Sequence, residues 1–301
     1  MNSNIRTDLA VEAEALCRET QADGAAELPG VRAAARRQNN FSVTTVEITD
    51  ARGEAALGKP CGTYITVELD AFIRREENAF ADACGVLSGT LRSLLKLEKN
   101  GNYLIVGLGN RDITPDAIGP MAVDFVMVTR HLKEQLPDDF AALRPVAAVC
   151  SGVLGTTGVE SSEVVRAITE KLRPDAVIAV DALASRSPDR LCRTVQISDT
   201  GIVPGSGVGN ARQALNPETL GTPVIAVGVP TVVDAATLAV DLAQKAGAQL
   251  DPASFGEAGG MIVTPREIDK NVRDVAKLIG YSINLALHDG LTIEDVDLFL
   301  S

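Results

Sequence analysis

Two aspartates in this 301-residue chain stand where an α/β sheet gathers its chemistry: Asp116 and Asp181. Asp116 follows the stretch YLIVGLGNRDITPDAIGP (residues 103–120), in which four apolar residues run into Gly107-Leu108-Gly109-Asn110 and a polar loop leads to Pro115. An unalternated apolar run stopped by glycines reads as a buried parallel strand ending in a tight turn. Pro115 suits the first turn of a helix, where its missing N–H has no intrahelical partner to lose. Asp181 follows the apolar run AVIAV (176–180) directly, so its strand is expected to end there. Both carboxylates are therefore expected beyond the carboxyl ends of central strands, the usual place for ligands in open α/β sheets. As plain structure, each can be a helix cap or turn residue. As a pair, they can share one proton and act as base and acid, or ligate a divalent metal. Spacing alone does not choose between these.

Other chemistries have less to work with. The only histidines are His131 and His288, each on an expected helix face and away from strand ends, and there is no HExxH. Both read as surface or packing residues. Ser206 lies in Gly-Ser-Gly rather than G-x-S-x-G. The Gly107-x-Gly109 turn resembles part of a dinucleotide fingerprint, but its third glycine position is Asp112, which is unfavourable beside pyrophosphate. The Gly-rich loop at 201–210 lacks the Lys-Ser/Thr ending of a P-loop and reads as a turn. The five cysteines are scattered and include no CxxC, which fits a reducing cytoplasm and buried thiols.

The elements that must position Asp116 and Asp181 form a strand–helix alternation from Tyr103 onward. Strands are expected at 103–108, 146–149, 176–180, 193–197, 223–228 and 261–263, with helices at 117–134, 161–172, 234–246 and 265–288. Repeated βα units imply a mostly parallel central sheet with helices on both faces. Before it, Phe41–Ile48 and Gly62–Leu69 alternate apolar and polar residues as an antiparallel strand pair does, and a long helix spans 76–97. Residues 1–40 read as a peripheral, mobile N-terminal arm with helices near 9–18 and 31–37. Residues 41–301 read as a single α/β domain.

Composition narrows the partners. There are 28 basic and 40 acidic residues, a net charge of −12. That is unsuited to neutralising phosphates, so no direct nucleic-acid binding is expected. No window approaches 18 uninterrupted apolar residues, so no membrane span is expected. The first residues have no signal-type apolar core, so a cytoplasmic location is expected.

Long stretches of the chain resemble the germination protease family of spore-forming Firmicutes. They include RTDLAVEA (6–13), VGLGNRDITPDAIGP (106–120), SGVLGTTGVESSEVVRAI (151–168), VDALASR (180–186), QISDTGIVPGSGVGNARQAL (196–215), VIAVGVPTVVDAAT (224–237) and MIVTPREID (261–269). Relatives are longer between about residues 246 and 261. The resemblance implies an atypical aspartic-type endopeptidase acting on small acid-soluble spore proteins, with a fold akin to the hydrogenase-maturation proteases and no cofactor. It places the two essential aspartates on Asp116 and Asp181, with the turn at Gly107, Gly109 and Asn110 shaping the cleft. In the hydrogenase-maturation relatives a histidine helps the corresponding positions bind metal, and no histidine here clearly matches it. The family also implies a homotetramer, made as a zymogen in the developing spore. Self-cleavage is expected between Asp8 and Leu9, removing a propeptide of about residues 1–8. The alternatives are a metal-dependent peptidase using the same two carboxylates, or a catalytically silent peptide-binding module.

Overall fold

The computed structural model describes residues 6–20, 28–206, 212–248, 250, 255 and 261–301. Helix α1 (Ala10–Thr20) precedes a hairpin of β1 (Val31–Gln38) and β2 (Phe41–Ile48). Next come α2 (Ala51–Leu57), β3 (Gly62–Glu68), the short α3 (Asp70–Ile73) and the long α4 (Ala79–Leu94). The alternating part runs through β4 (Tyr103–Leu108), α5 (Ile118–Val123), α6 (Arg130–Gln135), β5 (Val146–Gly152), α7 (Leu154–Thr157), α8 (Ser161–Leu172) and β6 (Ala176–Ala184). Then follow β7 (Thr194–Ser198), α9 (Pro217–Leu220), β8 (Val224–Asp234), α10 (Ala235–Lys245), β9 (Ile262–Val263), α11 (Ile268–Leu287) and α12 (Ile293–Leu300).

The sheet has the order β1-β2-β3-β7-β8-β6-β4-β5, with β9 paired to β8. Strands β8, β6, β4 and β5 form its parallel part. The expected antiparallel pair is β2 with β3, in register from Val43↔Val67 to Ile48↔Gly62. Both faces of the parallel part are covered, which is why its strands carry unbroken apolar runs. Tyr103, Ile105, Ile178 and Val227 pack on one side with residues of α4, α5 and α11, among them Leu87, Ile118 and Ile279. Leu104, Val106, Val177 and Ala179 pack on the other with Val165 of α8. By the same alternation Asp181 belongs to the second face.

Several sequence expectations need correction. Residues 31–37 are not helical. They form β1, each pairing with β2 from Val31↔Ile48 to Gln38↔Phe41. The two-residue turn at Asn39-Asn40 decides this, with Asn39 at φ 51°, a left-handed conformation that Asn tolerates better than most residues. Hairpin hydrogen bonds then override the helix propensity of the alanines. Nor is the described start of the arm loose, because Leu9 and Ala10 are fully buried.

The expected helix over 117–134 breaks after Val123. There Asn284 of α11 takes over main-chain groups: its Oδ1 accepts from Met127 N–H (2.9 Å) and its Nδ2 donates to Phe125 O (2.8 Å). Residues 207–210 of the Gly-rich loop and most of 246–261 lie outside the described residues. Among the described residues, no helix is long and apolar enough to cross a membrane.

His131 is exposed on α6. His288, just past α11, is 1% exposed, and its Nδ1 accepts from Arg144 N–H. Burial, reinforced by the Arg144 charge and weakly opposed by Asp289, lowers its pKa from 6.5 to about 4. The unfolded chain therefore takes up this proton first as pH falls. The neutral ring's contribution is intact above pH 6.5 and lost through the window down to about 4, a loss of about 3 kcal/mol. Urea unfolding of the wild type and of His288→Gln should show that much extra acid sensitivity in the wild type. Equal slopes of stability against pH would refute it.

Candidate active site

The turn after β4 is built on close backbone approach. A side chain on Gly107 would meet Gly119 O at 2.6 Å, and one on Gly119 would meet Leu108 O at 2.3 Å and Val180 O at 2.4 Å. The start of α5 therefore presses directly on the ends of β4 and β6. Gly109, at φ +108°, turns the chain so that the Asn110 N–H donates to Asp116 Oδ2 at 2.7 Å. Asp116 closes a single 3₁₀ turn, Thr114–Asp116, and does not cap α5, whose N-terminus has no side-chain cap. Two contacts fasten that turn: Thr231 Oγ1 donates to Pro115 O (2.6 Å), and Thr114 Oγ1 donates to Asp269 Oδ1 (2.7 Å).

Asp181 does not end its strand, contrary to the sequence expectation. β6 continues to Ala184 because β8 also runs on to Asp234, and Asp181 sits in register with Gly228. It is 4% exposed. Its Oδ1 accepts from the N–H of its own neighbour Ala182 at 2.9 Å.

Asp116 and Asp181 line one cavity of about 450 Å³, together with Gly109 and Asn110 of the turn. Gly107 does not line it and acts from beneath, through Gly119. Burial raises the Asp116 pKa, opposed by the Asn110 hydrogen bond. Burial raises that of Asp181 far more, and the charges of Asp116 and Asp8 add to the effect. Both shifts favour the protonated carboxyl, and Asp181 is the more deeply buried of the two. One carboxylate and one carboxylic acid in a cavity can take a proton from water and give one to a leaving amide nitrogen. Among the described residues, no group of three or more His, Cys, Asp or Glu is placed to hold a metal ion.

The same cavity contains Asp8. Its carboxylate does not cap α1: Oδ2 accepts from Ala184 N–H (2.8 Å) and Oδ1 from the Ser206 hydroxyl (2.9 Å). Asp8 N–H in turn donates to Ala184 O at 2.9 Å. The Asp8–Leu9 bond therefore lies beside the cavity rather than on an exposed tether. Ser206 matters here as a hydroxyl donor, a role that its Gly-Ser-Gly setting does not announce.

A family model described as germination protease matches residues 10–245. A germination protease of Caldanaerobacter subterraneus subsp. tengcongensis is 41% identical over 323 residues, covering 98% of this chain and 98% of that protein. One from Clostridium tetani is 39% identical, covering 99% of this chain and all of its own length. Among solved structures, a [NiFe] hydrogenase maturation protease HycI from Thermococcus kodakarensis matches with TM-score 0.37 and 18% identity, covering 64% of this chain and 98% of its own.

Proposed function

We propose, from the premise that the chain belongs to the germination protease family, that it is an endopeptidase of atypical aspartic type that initiates degradation of small acid-soluble spore proteins during germination. Family membership supplies the protease role. The observation that carries the mechanism is that Asp116 and Asp181 line one cavity in which burial raises both pKa values. Asp116 is the base that activates water, and Asp181 is the acid that protonates the leaving amine. Incubating a spore-protein peptide with the purified protein, with and without chelator, tests this. Cleavage that persists in chelator supports the reading. Chelator-sensitive cleavage points to a metal-dependent peptidase, and no cleavage to a silent peptide-binding module.

The protein is made as a zymogen in the cytoplasm of the developing spore, assembles as a homotetramer and processes itself between Asp8 and Leu9. The ground for this bond is its place beside the cavity, since Leu9 is fully buried and the segment is not an exposed one. N-terminal sequencing of matured protein should begin at Leu9; a stable start elsewhere refutes the assignment. With net charge −12, the enzyme meets its substrates as protein, without gripping DNA itself. Retention on a duplex-DNA column at physiological salt would contradict this.

A further inference from the structure

Residues 6–10 are held as a bound peptide is held. Asp8 exchanges main-chain and side-chain hydrogen bonds with Ala184 at the end of β6, and Ser206 takes its other carboxylate oxygen. Two further donors converge on the carbonyl of Asp8, the carbonyl of the Asp8–Leu9 bond: Lys59 Nζ at 2.8 Å and Gln196 Nε2 at 3.1 Å. Gln196 also grips the next part of the segment, because its Oε1 accepts from Ala10 N–H at 2.7 Å.

A carbonyl that merely enters a helix needs no cation, since one neutral donor or water satisfies it. Here the ammonium of half-buried Lys59 is spent on it. Burial lowers the Lys59 pKa, partly offset by the charges of Asp8 and Glu12. Those two charges offset only part of the cost of desolvating the cation, and a carbonyl oxygen that becomes more negative offsets more of it. Gln196 is in register with Gly228, and Gly228 with Asp181, so the amide lies two strands from the buried carboxyl. Alternation along β7 puts Ile197 in the core on the opposite face and leaves Gln196 on the face of Asp181.

We propose that Lys59 and Gln196 form a carbonyl clamp for the peptide bond that follows an acidic residue seated on Ala184 and Ser206. The proposal rests on the peptidase reading above and assigns the electrophilic half of that site. Water oxygen adds to the carbonyl carbon, and the π pair moves onto the oxygen held by the clamp. The water's proton goes to the ionised carboxylate. The tetrahedral species collapses as the other carboxyl protonates the nitrogen, and the C–N bond breaks to a free acid and an amine.

The test uses the full chain for self-processing and the processed protein for a synthetic peptide of residues 6–15. Gln196→Glu keeps the acceptor for Ala10 N–H but replaces the donor with an anion. Lys59→Met removes the cation, and Lys59→Arg restores one. We expect Gln196→Glu and Lys59→Met each to lower kcat by about a hundredfold, with KM within about threefold, to slow self-processing in step, and Lys59→Arg to recover part of the rate. Should Lys59→Met not fold, Lys59→Gln retains a neutral donor and is read in the same way. Wild-type kcat in folded clamp variants, or a change in KM alone, overturns the clamp and makes both residues simple anchors of the arm. Asp116→Asn is run alongside. If it is inactive while the clamp variants are not, the clamp alone falls; if it cleaves as the wild type does, or the wild type cleaves nothing, the peptidase reading falls first.

Discussion

Asp116→Asn and Asp181→Asn should each lower peptide cleavage by processed protein by about 10²–10⁴-fold while leaving the fold intact. Asn keeps the size of Asp and one carbonyl oxygen, so it can still accept from Asn110 N–H at position 116 and from Ala182 N–H at position 181. What it lacks is the proton chemistry. The two variants differ in stability. The folded pKa of Asp181 lies above its ordinary value, so the native state holds this proton more tightly than the unfolded chain does. The associated stability is present below the ordinary carboxylate range and lost as pH rises towards the folded pKa. At neutral pH, Asp181 is therefore a burden on the fold that Asn removes, and Asp181→Asn should melt at or above the wild-type temperature. Activity should follow a bell in pH, rising as Asp116 ionises and falling as Asp181 does, with both limbs displaced upward because burial raises both groups. Thermal unfolding alongside kcat/KM against pH checks all of this. Cleavage near the wild-type rate by either folded variant would remove that residue from the chemistry.

What could be read from the sequence depended on how locally each feature is determined. The strand at Tyr103, the glycine turn and Pro115 were legible because each is a local deviation: a run without polar alternation, a residue without Cβ, a residue without N–H. Asp116 and Asp181 could be chosen because both follow such runs. The end of β6 was not legible, since its last residues stay extended by pairing with β8, whose own course past Gly228 is a distant fact. The break after Val123 depends on Asn284 from α11. Residues 31–38 have helix-forming side chains and become a strand through one asparagine turn and a partner strand. The place of Asp8 was hidden for the same reason, because its carboxylate is held by Ala184 and Ser206, far along the chain. Lys59 lies in none of the stretches that carry the family resemblance, and Gln196 merely opens one of them with no chemical signature of its own. They acquire meaning only when the carbonyl between them is seen.

Gly109→Ala should damage both activity and stability, and it isolates the turn from the carboxylates it serves. At φ +108° the residue occupies a conformation that alanine rarely adopts, a strain of about 1–3 kcal/mol. The new Cβ would also stand 2.0 Å from Asp116 O and 3.0 Å from Asp116 Oδ1. Neither contact can be relieved by rotating a side chain at position 109, so the turn itself must move. Asp116 moves with it, because its carboxylate is tied to the next N–H, that of Asn110. A shift of about 1 Å in a reacting group is enough for about a hundredfold loss of rate. Strain and clash together should lower stability by about 2–4 kcal/mol. Gly85, on the exposed side of α4, provides the contrast: a Cβ there meets nothing within 4 Å. Gly85→Ala should therefore raise stability by about 0.5–1 kcal/mol, since helix interiors favour alanine, and leave cleavage unchanged. Urea unfolding and peptide cleavage on both variants read the two effects apart. If Gly109→Ala matched Gly85→Ala in both assays, the turn would not be what places Asp116, and the cavity would owe its shape to the fastening of Pro115 and Thr114 by Thr231 and Asp269 alone.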